Sequence, residues 1–160
     1  MEAITRISSR NDFHAAVRAA LAEAAAAGWR EICLCDPDFA HWPLGEAGLI
    51  ASLTQWARVP RHLTVLALDF DELSRRHPRF VSWRRQWAHV AQCRSLPELQ
   101  AGGVPVLLHA PGALTLRLLD PLRFQGSVSR MPADILQAGE TIDAISQRSV
   151  EAFPATALGL

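Results

Sequence analysis

The sequence predicts one α/β domain on a mixed, partly parallel β-sheet flanked by helices. Three observations lead there. Two apolar runs, residues 31–36 and 62–69, are separated by a stretch with apolar residues at helical spacing. Buried strands joined by helical crossovers lie parallel. After Gly102-Gly103 the pattern shifts to closely spaced strand-like runs divided by Pro-Gly and Pro turns, as in a hairpin or meander. From Pro132 onward helical spacing returns. With 160 residues, 49% of them hydrophobic and 20% charged, the chain can bury one core.

Taken in order, residues 3–7 alternate weakly and suit a short edge strand. Ser8, Ser9 and Asp12 offer capping side chains ahead of Phe13, Val17, Leu21 and Ala24, which share a helical face, and Gly28 is the expected stop. Residues 31–36 form a buried strand ending in Asp-Pro. Residues 45–58 place Leu49, Ile50, Leu53 and Trp56 at helical spacing. Residues 62–69 are nearly all apolar, as strands covered on both faces are. Pro78 suits the first turn of a helix striped by Phe80, Trp83, Trp87 and Val90, within an Arg-rich helical segment spanning 74–90. Residues 91–96 give a third strand. Residues 104–109 and 114–119 flank the Pro111-Gly112 turn, and residues 124–128 follow Pro121. The last helix is expected from Pro132 to about Phe153, with Ile135, Ile142, Ile145 and Val150 on one face and Gly139 weakening it. No repeat or linker interrupts residues 1–160, which read as a single domain.

Composition excludes several chemistries. All 16 lysine-plus-arginine positions are arginine. Arginine keeps its proton, so the chain has no Schiff-base amine, no titratable basic nucleophile and no P-loop lysine. GC-rich coding accounts for this bias, since tyrosine is absent too. The net charge of zero gives no global field toward nucleic acid or anionic lipid. No signal-peptide pattern opens the chain and no apolar run reaches the roughly 20 residues of a membrane span, so a cytoplasmic protein with reduced thiols is expected. There is no Gly-rich dinucleotide loop, G-x-S-x-G or H-E-x-x-H, and no cofactor is indicated.

Residues 113–129 read Ala-Leu-Thr-Leu-Arg-Leu-Leu-Asp-Pro-Leu-Arg-Phe-Gln-Gly-Ser-Val-Ser. This stretch resembles the phospholipase D superfamily signature, H-x-K-x4-D followed by G-S-x-N. Ala113 takes the histidine position and Thr115 the lysine position. Asp120 and Gly126-Ser127 keep their types, and Ser129 stands where asparagine is usual. The Asp120-to-Gly126 spacing is one residue shorter than the common form. A parallel part, a hairpin carrying the motif and a final helix are also that family's layout. The resemblance therefore implies a phospholipase D-like architecture over most of the chain.

It does not imply the chemistry. In that family the histidine attacks phosphorus and the lysine stabilises the phosphoryl charge. Alanine cannot attack, and threonine carries no charge. Arg117, on the same strand face as Thr115 by alternation, can bind an anion but cannot supply a nucleophile. His109 lies across the turn. The expectation is a degenerate, non-catalytic binding or scaffold domain holding an anionic or phosphate-containing ligand near Thr115, Arg117, Asp120 and Ser127. Single-motif members of the family build their site between two copies, so a homodimer is implied.

Two alternatives stand beside this. Asp36 and Asp38 end one buried strand, and Asp69, Asp71 and Glu72 end the next. With His41 they would share the rim where open α/β sheets bind ligands, and could hold a divalent metal for phosphohydrolase or nuclease chemistry. The competing reading makes them turn and helix-start residues. Arg75, Arg76, Arg79, Arg84, Arg85 and Arg94, interleaved with Trp83 and Trp87, would grip nucleic acid or a protein partner. Against that, the arginines suit a solvated face and the tryptophans a core stripe. Cys33 and Cys35 share a strand face and could meet one zinc, but no second ligand pair follows, and core packing is the simpler reading. His14, His62 and His89 receive no role.

Overall fold

Local chemistry sets most element boundaries in the computed structural model, which describes residues 3–153. Strand β1 (Ile4–Ile7) is an edge strand, as its weak alternation predicts. Ser9 is extended, its hydroxyl accepts the Asp12 N–H at 3.0 Å, and helix α1 (Arg10–Ala27) begins there. Gly28, at φ 72°, closes α1 by donating its N–H to the Ala24 carbonyl. The buried face of α1 is Phe13, Val17, Ala20, Leu21 and Ala24. Strand β2 (Glu31–Cys35), helix α2 (Ala47–Trp56) and strand β3 (His62–Ala67) follow where expected.

The basic segment departs from expectation. Instead of one helix over 74–90, there are two short ones, α3 (Asp71–Arg76) and α4 (Pro78–Gln86). His77 between them sits at φ −127°, ψ 62°, because the ring of Pro78 disfavours helical geometry in the residue before it. A turn brings Val90 back into the core ahead of strand β4 (Ala91–Ser95). Strands β5 (Val106–Ala110), β6 (Leu114–Asp120) and β7 (Gln125–Ser129) form the expected meander. Helix α5 (Pro132–Ser146) stops well short of Phe153, and Val150–Glu151 forms strand β8 instead. Unpaired edge groups on Arg94 and Ser95 of β4 draw those residues into antiparallel pairing.

The sheet order is β1-β7-β6-β5-β2-β3-β4-β8. β2, β3 and β4 are parallel, and β5 joins β2 antiparallel. Alternation along the strands splits the core in two. Ile32, Leu34, Leu63, Val65, Leu108 and Leu116 pack with α1 to α4 in the larger cluster. Cys33, Cys35, Leu66 and Leu107 pack with Ile142 of α5 in the smaller one. Three clefts run along the flanks of α5, on that second sheet face.

Two buried histidines give this fold an acid response. His77 donates Nε2–H to the Phe39 carbonyl at 2.8 Å, bracing Phe39 in its left-handed conformation at φ 61°. Burial holds both His77 and His109 below the ordinary histidine value of 6.5. The unfolded chain therefore binds more protons than the folded one once pH drops below that value, so stability is lost as pH falls toward the folded values. Urea midpoints are expected to fall between neutral pH and about pH 5.5, and a His77→Gln/His109→Gln variant is expected to flatten that slope. A midpoint that rises on acidification would contradict this.

Candidate functional site

Register brings part of the motif stretch together. Thr115 pairs with Ser129 and Arg117 with Ser127 across β6 and β7. Leu114, Leu116 and Leu118 go to the larger core, so the alternate residues face α5. A cleft of about 190 Å³ results, lined by Thr115, Arg117, Leu119, Ser127 and Ser129 with Asp134, Gln137 and Ala138 of α5.

Its polar groups are unequally committed. Ser129 Oγ donates to Asp134 Oδ2 at 2.5 Å and accepts the Met131 N–H at 3.1 Å, so it serves the start of α5. Thr115 is 6% exposed, and its buried hydroxyl has no partner among the described residues. Arg117 is half-buried, and its guanidinium makes no hydrogen bond or ion pair among them. A half-buried guanidinium beside an orphaned hydroxyl is a donor set without an acceptor, which is what an anion supplies. Asp134 is the one carboxylate in the lining, and it already accepts from Ser129.

Not every motif position reaches this cleft. Asp120 lies past the register shift between Leu118 and Asp120, where it stands 3.8 Å from Arg123. It is absent from the lining, against the expectation that it would hold the ligand, because alternation from Thr115 and Arg117 leads to Leu119 and not to Asp120. Ala113 is in the turn after Pro111-Gly112, with its N–H on the Ala110 carbonyl. Gly126 lies where a Cβ would run into the backbone of β6. His109 is across the turn on β5, as expected, and there it is the cross-strand partner of Thr115. Asp134 and Gln137 were not singled out from sequence. Their only signal is a spacing of three on the final helix.

The acidic residues at the ends of β2 and β3 organise their own loops. Asp36 Oδ2 accepts from the N–H groups of Asp38 (3.0 Å) and Phe39 (2.7 Å), and Oδ1 accepts from Trp42 Nε1 at 3.1 Å. Burial raises the Asp36 carboxyl above its ordinary value, partly offset by these three donors. Asp38 Oδ1 accepts the Ala40 N–H, and Asp69 Oδ1 accepts the Asp71 N–H. His41 is exposed, with His14 Nε2–H donating to its carbonyl at 2.6 Å. Among the described residues, no three His, Cys, Asp or Glu side chains are placed to share a metal. Asp36, Asp38, His41, Asp69 and Asp71 thus stand at the expected strand ends without converging on a metal-ligating cluster among the described residues, and the oxygens of Asp36, Asp38 and Asp69 close Asx turns instead. Replacing Asp36 by alanine strands the Phe39 and Trp42 donors and is expected to cost about 3 kcal/mol. A urea melt checks this, and an unaltered midpoint would refute the loop-closing role.

The basic segment is similarly spent on internal contacts. Arg75 and Arg76 both pair with Glu72. Arg79 donates to the Gly45 carbonyl, and Arg94 to Ser149 Oγ and O. Arg84 is buried, with Nε 3.1 Å from Cys93 Sγ and Nη2 on the Phe153 carbonyl. Of the six arginines, only Arg85 has no intramolecular partner among the described residues. Trp83 is buried and Trp87 packs against the larger core. Cys33, Cys35 and Cys93 are buried and free, and burial pushes the Cys33 thiol up to about 12.

No protein-family model matches this chain, and no curated protein matches it. Solved structures do. TrmBL2, an archaeal chromatin protein described as having a novel mode of DNA binding, superposes with a TM-score of 0.66 at 12% identity over 94% of this chain. This chain spans about half of TrmBL2, 54% of its length. NucT from Helicobacter pylori superposes at 0.63 and 7% identity, over 93% of this chain and 99% of its own. Nuc from Salmonella typhimurium, a phospholipase D family member, superposes at 0.55 and 7% identity, over 84% and 90%. At such identities the likeness is one of fold alone. No helix among the described residues is long and apolar enough to cross a membrane. The sheet, the hairpin at residues 106–120 and the closing helix thus make up a mixed α/β fold of phospholipase D-like architecture.

Proposed function

We propose that this domain binds rather than cleaves, and that it holds an anionic, phosphate-bearing group in the cleft between β6, β7 and α5. The observation that carries this reading is Arg117, half-buried and without an acceptor, next to the orphaned hydroxyl of Thr115. A guanidinium matches two phosphate oxygens with parallel N–H donors, and Thr115, Ser127 and the Gln137 amide add neutral donors around it. What the cleft lacks is equally specific. It has no histidine, cysteine or lysine to act as nucleophile or base, and the motif positions where the resembled family carries them hold Ala113 and Thr115.

The phosphate can belong to a small molecule or to a nucleic-acid backbone. Likeness to a chromatin protein favours testing the second source. Calorimetric titration with pyrophosphate and with a short DNA duplex separates the two. Pyrophosphate binding with no added affinity for the duplex identifies a small ligand. Duplex binding that weakens steeply with salt identifies nucleic acid. Failure of both would overturn the proposal, as would metal-independent phosphodiester hydrolysis that Asp120→Ala abolishes.

A homodimer belongs to the same reading. Leu119 on the cleft rim is 76% exposed and Leu122 is 94% exposed, an apolar pair that a second copy would cover. Light scattering is expected to give twice the chain mass, and Leu119→Glu/Leu122→Glu to give a monomer. A monomeric parent would remove this part of the proposal.

A further inference from the structure

Helix α5 divides its sheet face into two flanks of opposite chemistry. The Arg117 cleft lies on one flank. On the other is a larger cavity of about 490 Å³, between α5 and the starts of β2 and β3. Its floor is buried and largely apolar, made by Cys33, His109 and Ile142. Its rim carries Glu31, Glu140 and Asp143, all exposed, and no arginine lines it. None of those three carboxylates takes part in an ion pair among the described residues, whereas the chain as a whole balances 16 acids against 16 arginines.

His109 is a second, independent sign of a ligand. It is 4% exposed, and its Nδ1 has no hydrogen-bond partner among the described residues. Its Nε2 lies beside Gly139 of α5, 3.4 Å from where a Cβ at that position would stand. Gly139 therefore keeps open a gap between helix and imidazole that any side chain would narrow. Glycine weakens a helix interior by roughly 0.5–1 kcal/mol relative to alanine, so the opening is maintained against local preference.

We propose that this cavity is a binding site for a small organic cation, a primary or secondary ammonium carried on an apolar body. The apolar part enters between Ile142 and the sheet, and the ammonium faces Asp143 and Glu31, with His109 as a neutral hydrogen-bond acceptor on the floor. The volume falls in the range of small-molecule sites, roughly 300–1,000 Å³. An acidic rim over low-dielectric walls concentrates cations at its mouth. Burial outweighs the opposing pull of the Asp143 and Glu31 charges on His109 and keeps that ring neutral near pH 7. The site is separate from the proposed anion cleft and stands or falls without it.

The test is an NMR titration of the whole protein with 2-phenylethylammonium and, in parallel, its neutral analogue 2-phenylethanol. Saturable shifts at Gly139, His109 and Thr64 are expected with the ammonium, with the alcohol binding about tenfold more weakly, a difference of about 1.4 kcal/mol. Glu31→Gln/Asp143→Asn, on the exposed rim, is expected to fold normally and to erase that tenfold preference. Gly139→Leu is expected to abolish binding of both probes. If that variant fails to fold, the rim pair alone decides. No saturable binding of the ammonium, equal affinity for the two probes, or a rim variant with its preference intact would each overturn the proposal.

Discussion

Gly126→Ala is expected to destabilise the protein by about 3 kcal/mol or more. A Cβ built on Gly126 would stand 1.9 Å from the Arg117 carbonyl oxygen and 2.8 Å from the Leu118 Cα. Both obstacles are backbone, so no rotamer change relieves them. Gly126 pairs with Leu118 and with Ile7, and directly beyond lies the register shift between Leu118 and Asp120. Here β7 runs so close to β6 that only hydrogen fits, and any larger group must push the two strands apart. At roughly 2–4 °C per kcal/mol for a domain of this size, the thermal midpoint is expected to drop by about 10 °C. Ser127→Ala is the control, because its side chain makes no bond among the described residues. It is expected to move stability by no more than about 0.5 kcal/mol. A Gly126→Ala protein that melts within a degree or two of the parent would show that the strands are not held at this separation.

Arg117→Ala is expected to weaken phosphate binding by about ten- to a hundredfold, because hydrogen bonds to a charged partner contribute about 1.5–3 kcal/mol. Thermal stability should stay nearly unchanged, since the guanidinium has no partner within the fold among the described residues. That separation distinguishes a ligand group from a structural one. Arg117→Lys should recover only part of the affinity, as a point charge cannot reproduce the planar fork. Raised salt should weaken the parent and leave the alanine variant's residual binding less affected. Equal pyrophosphate affinity in parent and alanine variant would remove Arg117 from the site. A large fall in melting temperature would instead assign it to the fold.

How much of this was legible from the residues differs by element. Alternation and capping are local, and they placed β2, β3, β5 and β6 and both ends of α1 to within a residue or two. Ser9 and Gly28 act through atoms four residues away at most. The basic segment was misread because its apolar stripe outweighed the constraint that Pro78 places on His77. The last helix was extended too far because Val150 fits a helical stripe equally well. Only the open edge of β4, distant in sequence, makes it a strand.

The same distinction governs the sites. Thr115 and Arg117 were paired by alternation alone, and that pairing survives because it involves one strand. Asp120 falls outside the set because the alternation that joins Thr115 to Arg117 leads on to Leu119. The acidic residues stand at the strand ends, where Asp36, Asp38 and Asp69 accept from N–H groups of their own loops. By itself, then, the sequence determined the fold class and the face on which each strand residue lies. These follow from side-chain type and from repeats of two or a few residues. Tertiary structure alone decided that α5 lies between an arginine cleft and an acidic cavity, and that His109 meets Gly139 there. Those contacts join segments far apart along the chain, through a sheet order and a helix docking that no short-range pattern encodes.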